Sequence, residues 1–228
     1  MAKLKFNLND IHLYDWGELY WFDNNVDISL SAIHLLINNQ EKSLKEHYLK
    51  LKKKREKELP NVPIEYRDSY EQHFFEHADM TIERLAFFQR GLILGSIFIQ
   101  IESDMKELIN LISEEFKICF NDVKDNMIQQ YWKFLVNDFK IETDGVEKYF
   151  TPIVNEKIVR NAISHQGSYL TNEQLESFHP KNGIKLKGYE IRITDLEYLF
   201  NFLKRVGRFF DVLLIAVDKR YTELKKGA

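Results

Sequence analysis

Leu94-Gly95-Ser96-Ile97-Phe98-Ile99-Gln100-Ile101-Glu102-Ser103-Asp104-Met105-Lys106-Glu107-Leu108-Ile109-Asn110-Leu111-Ile112 carries one apolar face of a long helix. Leu94, Phe98, Ile101, Met105, Leu108 and Ile112 alternate spacings of four and three, which places them on one helix face. No proline lies between Arg67 and Lys117, so the pattern predicts one long helix or two in tandem there. Gly91 and Gly95 are four apart and share a face. They permit close approach of another helix or mark a break, at about 1 kcal/mol each against Ala.

On the N-terminal side, Asp27 is the expected cap of a helix over Ile28–Leu59, which Pro60 and Pro63 end. Residues 1–27 crowd Tyr14, Trp16, Tyr20, Trp21 and Phe22 around Gly17, which reads as an irregular arm packed on the body. On the C-terminal side, helices are expected over Val123–Ile141, capped by Asn121 or Asp122, and over Val146–Ser164, bent by Pro152. Asp144-Gly145 is a turn, and Gly167 falls near the second helix's end. Residues 168–183, with His179-Pro180 and Asn182-Gly183, read as loop. Ile184 to Ile193 alternates apolar and polar residues around Gly188, a small β-hairpin. Thr194-Asp195-Leu196-Glu197 matches a capping box. A last helix follows with Leu196, Leu199, Leu203, Val206, Phe210, Leu213 and Val217 on its core face.

The expected class is therefore all-α: a bundle of four to five long helices with an N-terminal extension and a small hairpin before the last helix. The organisation reads as an arm and basic helix over 1–79 and a helical domain over 80–228. The 228 residues suffice for a sizeable core. A hydrophobic fraction of 44% with 29% charged residues excludes a disordered chain. The single cysteine, Cys119, excludes an internal disulfide and a cysteine-rich metal site, and reads as a small core residue. A net charge of −3 excludes a globally basic nucleic-acid coat while leaving local patches open. Met1–Asp10 mixes Lys3, Lys5 and Asp10 without an apolar signal region. The apolar run Gly91–Ile101 is shorter than the roughly 20 residues of a bilayer span. A reducing cytoplasm, and no membrane, is the expectation.

Chemistry concentrates in Arg160-Asn161-Ala162-Ile163-Ser164-His165-Gln166-Gly167. Arg160 carries a permanent charge on a forked donor array suited to phosphate oxygens. His165 exchanges a proton near neutral pH. On an ideal helix the two are about 140° apart in azimuth and roughly 7.5 Å apart along the axis, so they do not share a face. Asn161 and His165 do, which suits the Asn amide to orient the imidazole or a phosphate. Loosening at Gln166-Gly167 would let His165 swing toward Arg160. The alternative reading is a surface pair of cations at a helix C-terminus, favoured by the helix dipole.

Arg-Asn-x-x-x-His near the end of the penultimate long helix of a small all-α domain resembles the HEPN (higher eukaryotes and prokaryotes nucleotide-binding) superfamily. Its catalytic members carry Arg, a polar residue that is often Asn, three further residues and His. The likeness covers residues 80–228 through the helix order and leaves 1–79 without a counterpart. It implies a metal-independent endoribonuclease without cofactor, acting as a homodimer through the motif helix. His165 would then serve general acid–base transfer as the RNA 2′-OH attacks the adjacent phosphate. Arg160 would stabilise the phosphorane charge and Asn161 would position phosphate or His165. The implied products are 2′,3′-cyclic phosphate and 5′-OH ends. Many relatives are toxins or antiviral abortive-infection proteins, so a protein inhibitor or antitoxin is among the implied partners. Some carry a Tyr two residues after the His that a partner modifies; here Gly167 holds that position. The other reading is a non-catalytic HEPN-like module that binds RNA, nucleotide or a protein partner.

Similar members often have an acidic residue on the preceding long helix, which makes Glu102 a candidate to hold Arg160 or set the His165 tautomer. Asp104 is the competitor. Lys52, Lys53, Lys54 and Arg55, within the basic run Lys50–Lys57, suit an RNA backbone or a solvated helix end interleaved with Glu56 and Glu58. Lys185 and Lys187 follow the motif loop and suit substrate contact. His73 and His77 have a spacing that can hold a metal or mark a plain surface pair. Trp16, Tyr20 and Trp21 suit base stacking or packing onto the body.

Overall fold

The structure, a computed structural model, describes residues 13–120, 127–179 and 181–227. Met1–Asp10 with Lys3 and Lys5, the caps Asn121 and Asp122, the helix start at Val123, and Pro180 lie outside the described residues. The architecture is all-α with one hairpin, as the periodicity implies. Helices α1 (Gly17–Glu58), α2 (Arg67–Tyr70), α3 (His77–Phe116), α4 (Met127–Lys133), α5 (Glu147–His165) and α6 (Asn172–Ser177) precede strands β1 (Ile184–Lys187) and β2 (Glu190–Ile193), and α7 (Leu196–Lys226) closes the order. A π-helical stretch over Glu71–Glu76 joins α2 to α3, so the proline-free range from Arg67 is one helical run. A second π stretch, Phe134–Asp138, continues α4 and ends it before the expected Ile141.

By compactness the chain forms two units, whose boundaries fall inside α1, α3, α5 and α7. The first takes the chain up to Ser29, Gln100–Val154 and the chain from Lys204 on; the second takes Leu30–Ile99 and Asn155–Leu203.

In the first unit Ile101, Met105, Leu108 and Ile112 of α3 are buried, as their spacing requires. Trp16 stacks on Tyr221 at 5.0 Å and meets Phe116 edge-on. Asp218 accepts from the backbone N–H of Trp16 at 2.8 Å and of Asp15 at 3.0 Å, which satisfies donors at the start of α1. The irregular arm is thus corrected over residues 17–27: α1 begins at Gly17, and Asp27 lies inside it rather than capping it. Leu19, Phe22 and Val26 are buried at helical spacing, while exposed Tyr20 and Trp21 obscure that period in the sequence. Cys119 is exposed, not core, because α3 stops at Phe116 and Lys117 turns left-handed at φ 57°.

The second unit buries Ile33 and Ile37 of α1, Leu94, Ile97 and Phe98 of α3, Val159 and Ala162 of α5, and Leu199 and Phe202 of α7. Phe98 and Phe202 pack at 5.4 Å. Arg90 ties α3 to Glu41 of α1 at 2.9 Å and donates to the carbonyls of Ile193 and Thr194. The hairpin pairs Ile184 with Ile193 and Leu186 with Ile191, and Gly188 turns with φ +61°. The loop expected over 168–183 contains α6, capped by a box in which Thr171 accepts from the Gln174 N–H and the Gln174 side chain accepts from Thr171. The box expected at Thr194 does not form. Asp195 caps α7 by accepting from the Glu197 N–H at 2.9 Å, and the Thr194 hydroxyl donates to the Gly183 carbonyl.

Among the described residues one helical segment, Ile64–Phe116, is long and apolar enough by length and composition to cross a bilayer. The shorter run Gly91–Ile101 stops at Arg90 and Glu102, whereas a longer window that tolerates two charges keeps the apolar average.

Candidate functional site

The motif occupies the last turns of α5 in the second unit. The helix ends because Gly167 and Ser168 both turn left-handed, at φ +60° and +78°. The N–H groups of Gln166 and Ser168 both donate to the Ala162 carbonyl, at 3.2 and 2.8 Å. The chain then runs beside β2. The Ser168 carbonyl accepts from Ile191 N–H at 2.8 Å, and Leu170 N–H donates to the Tyr189 carbonyl at 2.9 Å. The hairpin therefore holds the exit of the motif helix in place.

Arg160 and His165 do come together. Nη1 of Arg160 lies 3.4 Å from Nε2 of His165 and donates to Oδ1 of Asn161 at 2.9 Å. No loosening at Gln166-Gly167 is involved, since His165 is still helical and the long arginine side chain spans the azimuth between them. Asn161 consequently serves Arg160 rather than the imidazole. Guanidinium only donates, so a hydrogen bond at this contact has Arg160 as donor and Nε2 as acceptor. The guanidinium also sits 5.8 Å over the buried ring of Phe98.

An open groove of about 530 Å³ lies between α3 and α5 within the second unit. From α5 it is lined by Arg160, Ser164 and His165, and from α3 by Arg84, Phe88, Leu92, Gly95 and Ile99. The helices approach closely at Gly91, where a Cβ would stand 2.6 Å from Cγ2 of Ile163. A Cβ on Gly95 would meet nothing within 4 Å, so that glycine leaves the groove open. Phe88, Leu92 and Ile99 are 51%, 69% and 65% exposed. The guanidinium of Arg84 stands 4.8 Å over the Phe88 ring and 5.1 Å over that of Phe87. Among the described residues no carboxylate lines this groove. Among the described residues neither Arg84, Arg160 nor His165 pairs with an acid, whereas Arg55, Arg90 and Arg192 all do. The positive field of the groove is thus uncancelled locally.

None of the other sequence candidates is among the described residues that line this groove. Glu102 is partly exposed on α3 in the first unit. Asp104, in the same unit, is buried, and its burial pushes the carboxyl up to about 6. Arg55 is consumed by Asp79 and Glu71. Lys52 and Lys54 face Glu56 and Glu58 one turn on, at 4.0 and 3.9 Å, and Lys53 is exposed. Lys185 and Lys187 point outward from β1, one strand removed from the segment that follows the motif. His73 and His77 are exposed. No group of three or more His, Cys, Asp or Glu side chains suited to one metal ion occurs among the described residues. Trp16 is packed in the first unit, while Tyr20 and Trp21 are exposed.

Sequence reasoning missed Arg84, Phe88 and Ser164. The available signal was the spacing of Phe88, Leu92, Gly95 and Ile99, which forms a second apolar stripe on α3, off the face that the core buries. No protein-family model, curated protein or solved structure matches this chain.

Proposed function

We propose that this protein is a metal-independent endoribonuclease of HEPN type whose site is Arg160, Asn161 and His165. The observation that carries the reading is the 3.4 Å approach of Arg160 Nη1 to His165 Nε2 at the wall of an acid-free groove. A proton acceptor and a permanent cation at this separation suit a phosphodiester. Nε2 of neutral His165 takes the 2′-OH proton while the 2′-oxygen bonds to phosphorus. Arg160, free of any carboxylate, faces the non-bridging oxygens where negative charge grows. The bond from phosphorus to the 5′-oxygen breaks, and that oxygen takes a proton from water or from the imidazolium of a second motif. Two chains associated through α5 would supply that second motif. The cell role that goes with the resemblance is cytoplasmic growth arrest, as a toxin or in antiviral defence, with a protein inhibitor as partner.

The test is cleavage of end-labelled single-stranded RNA in EDTA by the intact protein, Arg160→Ala and His165→Ala. Cleavage by the intact protein alone, leaving 2′,3′-cyclic phosphate ends, supports the reading. Equal cleavage by all three proteins would remove the motif from the chemistry. Binding of RNA without cleavage would favour the non-catalytic module.

A further inference from the structure

Phe88 and Arg84 are unexplained by the motif chemistry, yet they line the same groove. Phe88 projects from α3 with half its surface exposed, although it is an aromatic residue in a unit with an apolar core to fill. The Cζ atom of the Arg84 guanidinium lies 4.8 Å from its ring centroid. Arg84 has no acidic partner among the described residues, and its charge meets only the Phe87 and Phe88 rings. Phe88 is three residues before Gly91, roughly 4.5 Å along the helix, and Gly91 is where α3 meets Ile163 of the motif helix. An aromatic ring and a guanidinium plane therefore stand close to the Arg160–His165 pair, in a groove with three cationic or cation-forming side chains and no acid.

Single-stranded nucleic acid is the ligand class whose chemistry fits this combination. Its bases present π-faces that stack on aromatic rings and on arginine planes, and its phosphates need cations. Resting on the ribonuclease reading above for the location of the scissile phosphate, we infer that Phe88 and Arg84 form a stacking subsite for a nucleobase neighbouring that phosphate. Arg84 adds a phosphate contact or a second stacking plane. Among the described residues that line the groove there is no Asn, Gln, Asp or Glu to read a base edge. The subsite therefore selects an unpaired base and tolerates its identity, with a preference for the larger purine face.

The experiment uses a 2′-O-methyl RNA hexamer, which cannot be cut by 2′-OH attack, and the DNA hexamer of the same sequence. Each carries a fluorescent 2-aminopurine at one position in turn. The intact protein is expected to quench the probe at one favoured position. Phe88→Ala should remove that quenching and weaken binding about tenfold, Phe88→Trp should restore both, and Arg84→Ala should weaken binding in a salt-dependent way. Equal behaviour of the two hexamers places recognition in base and phosphate; a requirement for the RNA form adds the sugar. Circular dichroism of each variant checks folding, and exposed Phe88 tolerates replacement.

Absence of quenching by the intact protein, or unchanged binding by Phe88→Ala, overturns the subsite. A change of oligomeric state in Phe88→Ala with unaltered RNA binding assigns the face to a second copy and also overturns it. Cleavage of the all-ribose hexamer separates the two readings. Quenching without cleavage keeps the subsite and removes the ribonuclease. Cleavage with an unchanged KM in Phe88→Ala does the reverse.

Discussion

Gly91 of α3 faces Ile163 of α5 so closely that a methyl group on the glycine would stand 2.6 Å from Cγ2 of the isoleucine. Ile163 lies between Asn161 and His165, so this contact fixes how near α3 comes to the motif side chains. Gly95, four residues on, has open space where its side chain would be. The two glycines therefore separate helix propensity from packing.

Gly91→Ala is expected to destabilise the protein by about 1–2 kcal/mol, because overpacking of about 1–3 kcal/mol outweighs the gain in helix propensity. Gly95→Ala should instead stabilise it by about 1 kcal/mol, having no steric cost. Urea unfolding of the two variants against the intact protein checks this. Shifts of the same sign would contradict the assigned helix approach. Gly95→Trp should fill the groove and abolish binding of a single-stranded oligonucleotide while leaving the fold intact.

Arg160→Lys keeps the charge and loses the fork that reaches Asn161 and His165 together. If the guanidinium geometry matters, cleavage falls at least about 100-fold, nearly as far as in Arg160→Ala. Asn161→Ala frees the guanidinium on one side and should cause a smaller loss. Single-turnover cleavage rates rank the three. A fully active Arg160→Lys would reduce Arg160 to a point charge.

Asp104 is 5% exposed on α3. Its Oδ1 accepts from Gln100 at 2.7 Å, and its Oδ2 has no partner among the described residues. Burial raises its carboxyl to about 6, against the Gln100 hydrogen bond and with a contribution from the charge of Glu107. The unfolded chain releases this proton near 3.8, so between about 4 and about 6 the native state binds more protons. Stability contributed by this group therefore falls as pH rises through that window. Asp104→Asn should flatten this part of the profile and raise stability at pH 7 by on the order of 1–2 kcal/mol, after discounting for solvent screening. Denaturant titrations at pH 4, 5, 6 and 7 test it; parallel profiles for the two proteins would place the proton elsewhere.

Glu156 of α5 is buried at 1% exposure, with Oε1 accepting from Lys181 and Oε2 from the Tyr198 hydroxyl, both at 2.6 Å. It links the motif helix to the segment before β1 and to the first turn of α7. Glu156→Ala should cost about 3 kcal/mol, because it removes a buried carboxylate that bonds both Lys181 and Tyr198 and leaves a cavity. Glu156→Gln keeps the Tyr198 bond and should cost about 1–2 kcal/mol. Thermal melts of both decide the order, and equal losses would show that the charge of Glu156 is immaterial.

Much of the secondary structure was legible in the chain because helical period is local. The buried positions of α3 from Leu94 to Ile112 and of α7 from Leu199 to Val217 follow their three-four spacing. The hairpin followed from alternation around Gly188, and the end of α5 from Gly167. The start of α1 was hidden, because exposed Tyr20 and Trp21 interrupt an otherwise helical apolar set. The start of α6 was signalled by Thr171 and Gln174, but six helical residues carry too little periodicity to stand out from a loop.

Local spacing says which residues share a face and is silent on what covers that face. α3 has a long apolar stripe from Leu94 to Ile112 and a shorter one at Phe88, Leu92 and Ile99; packing buried the first and left the second in contact with solvent. Spacing likewise set Arg160 and His165 on different faces, whereas the reach of a flexible side chain over the ring of Phe98 brought their nitrogens to 3.4 Å. The absence of acids among the described residues of the groove is a property of residues 76 positions apart, Arg84 to Arg160, and exists only once α3 and α5 are packed together.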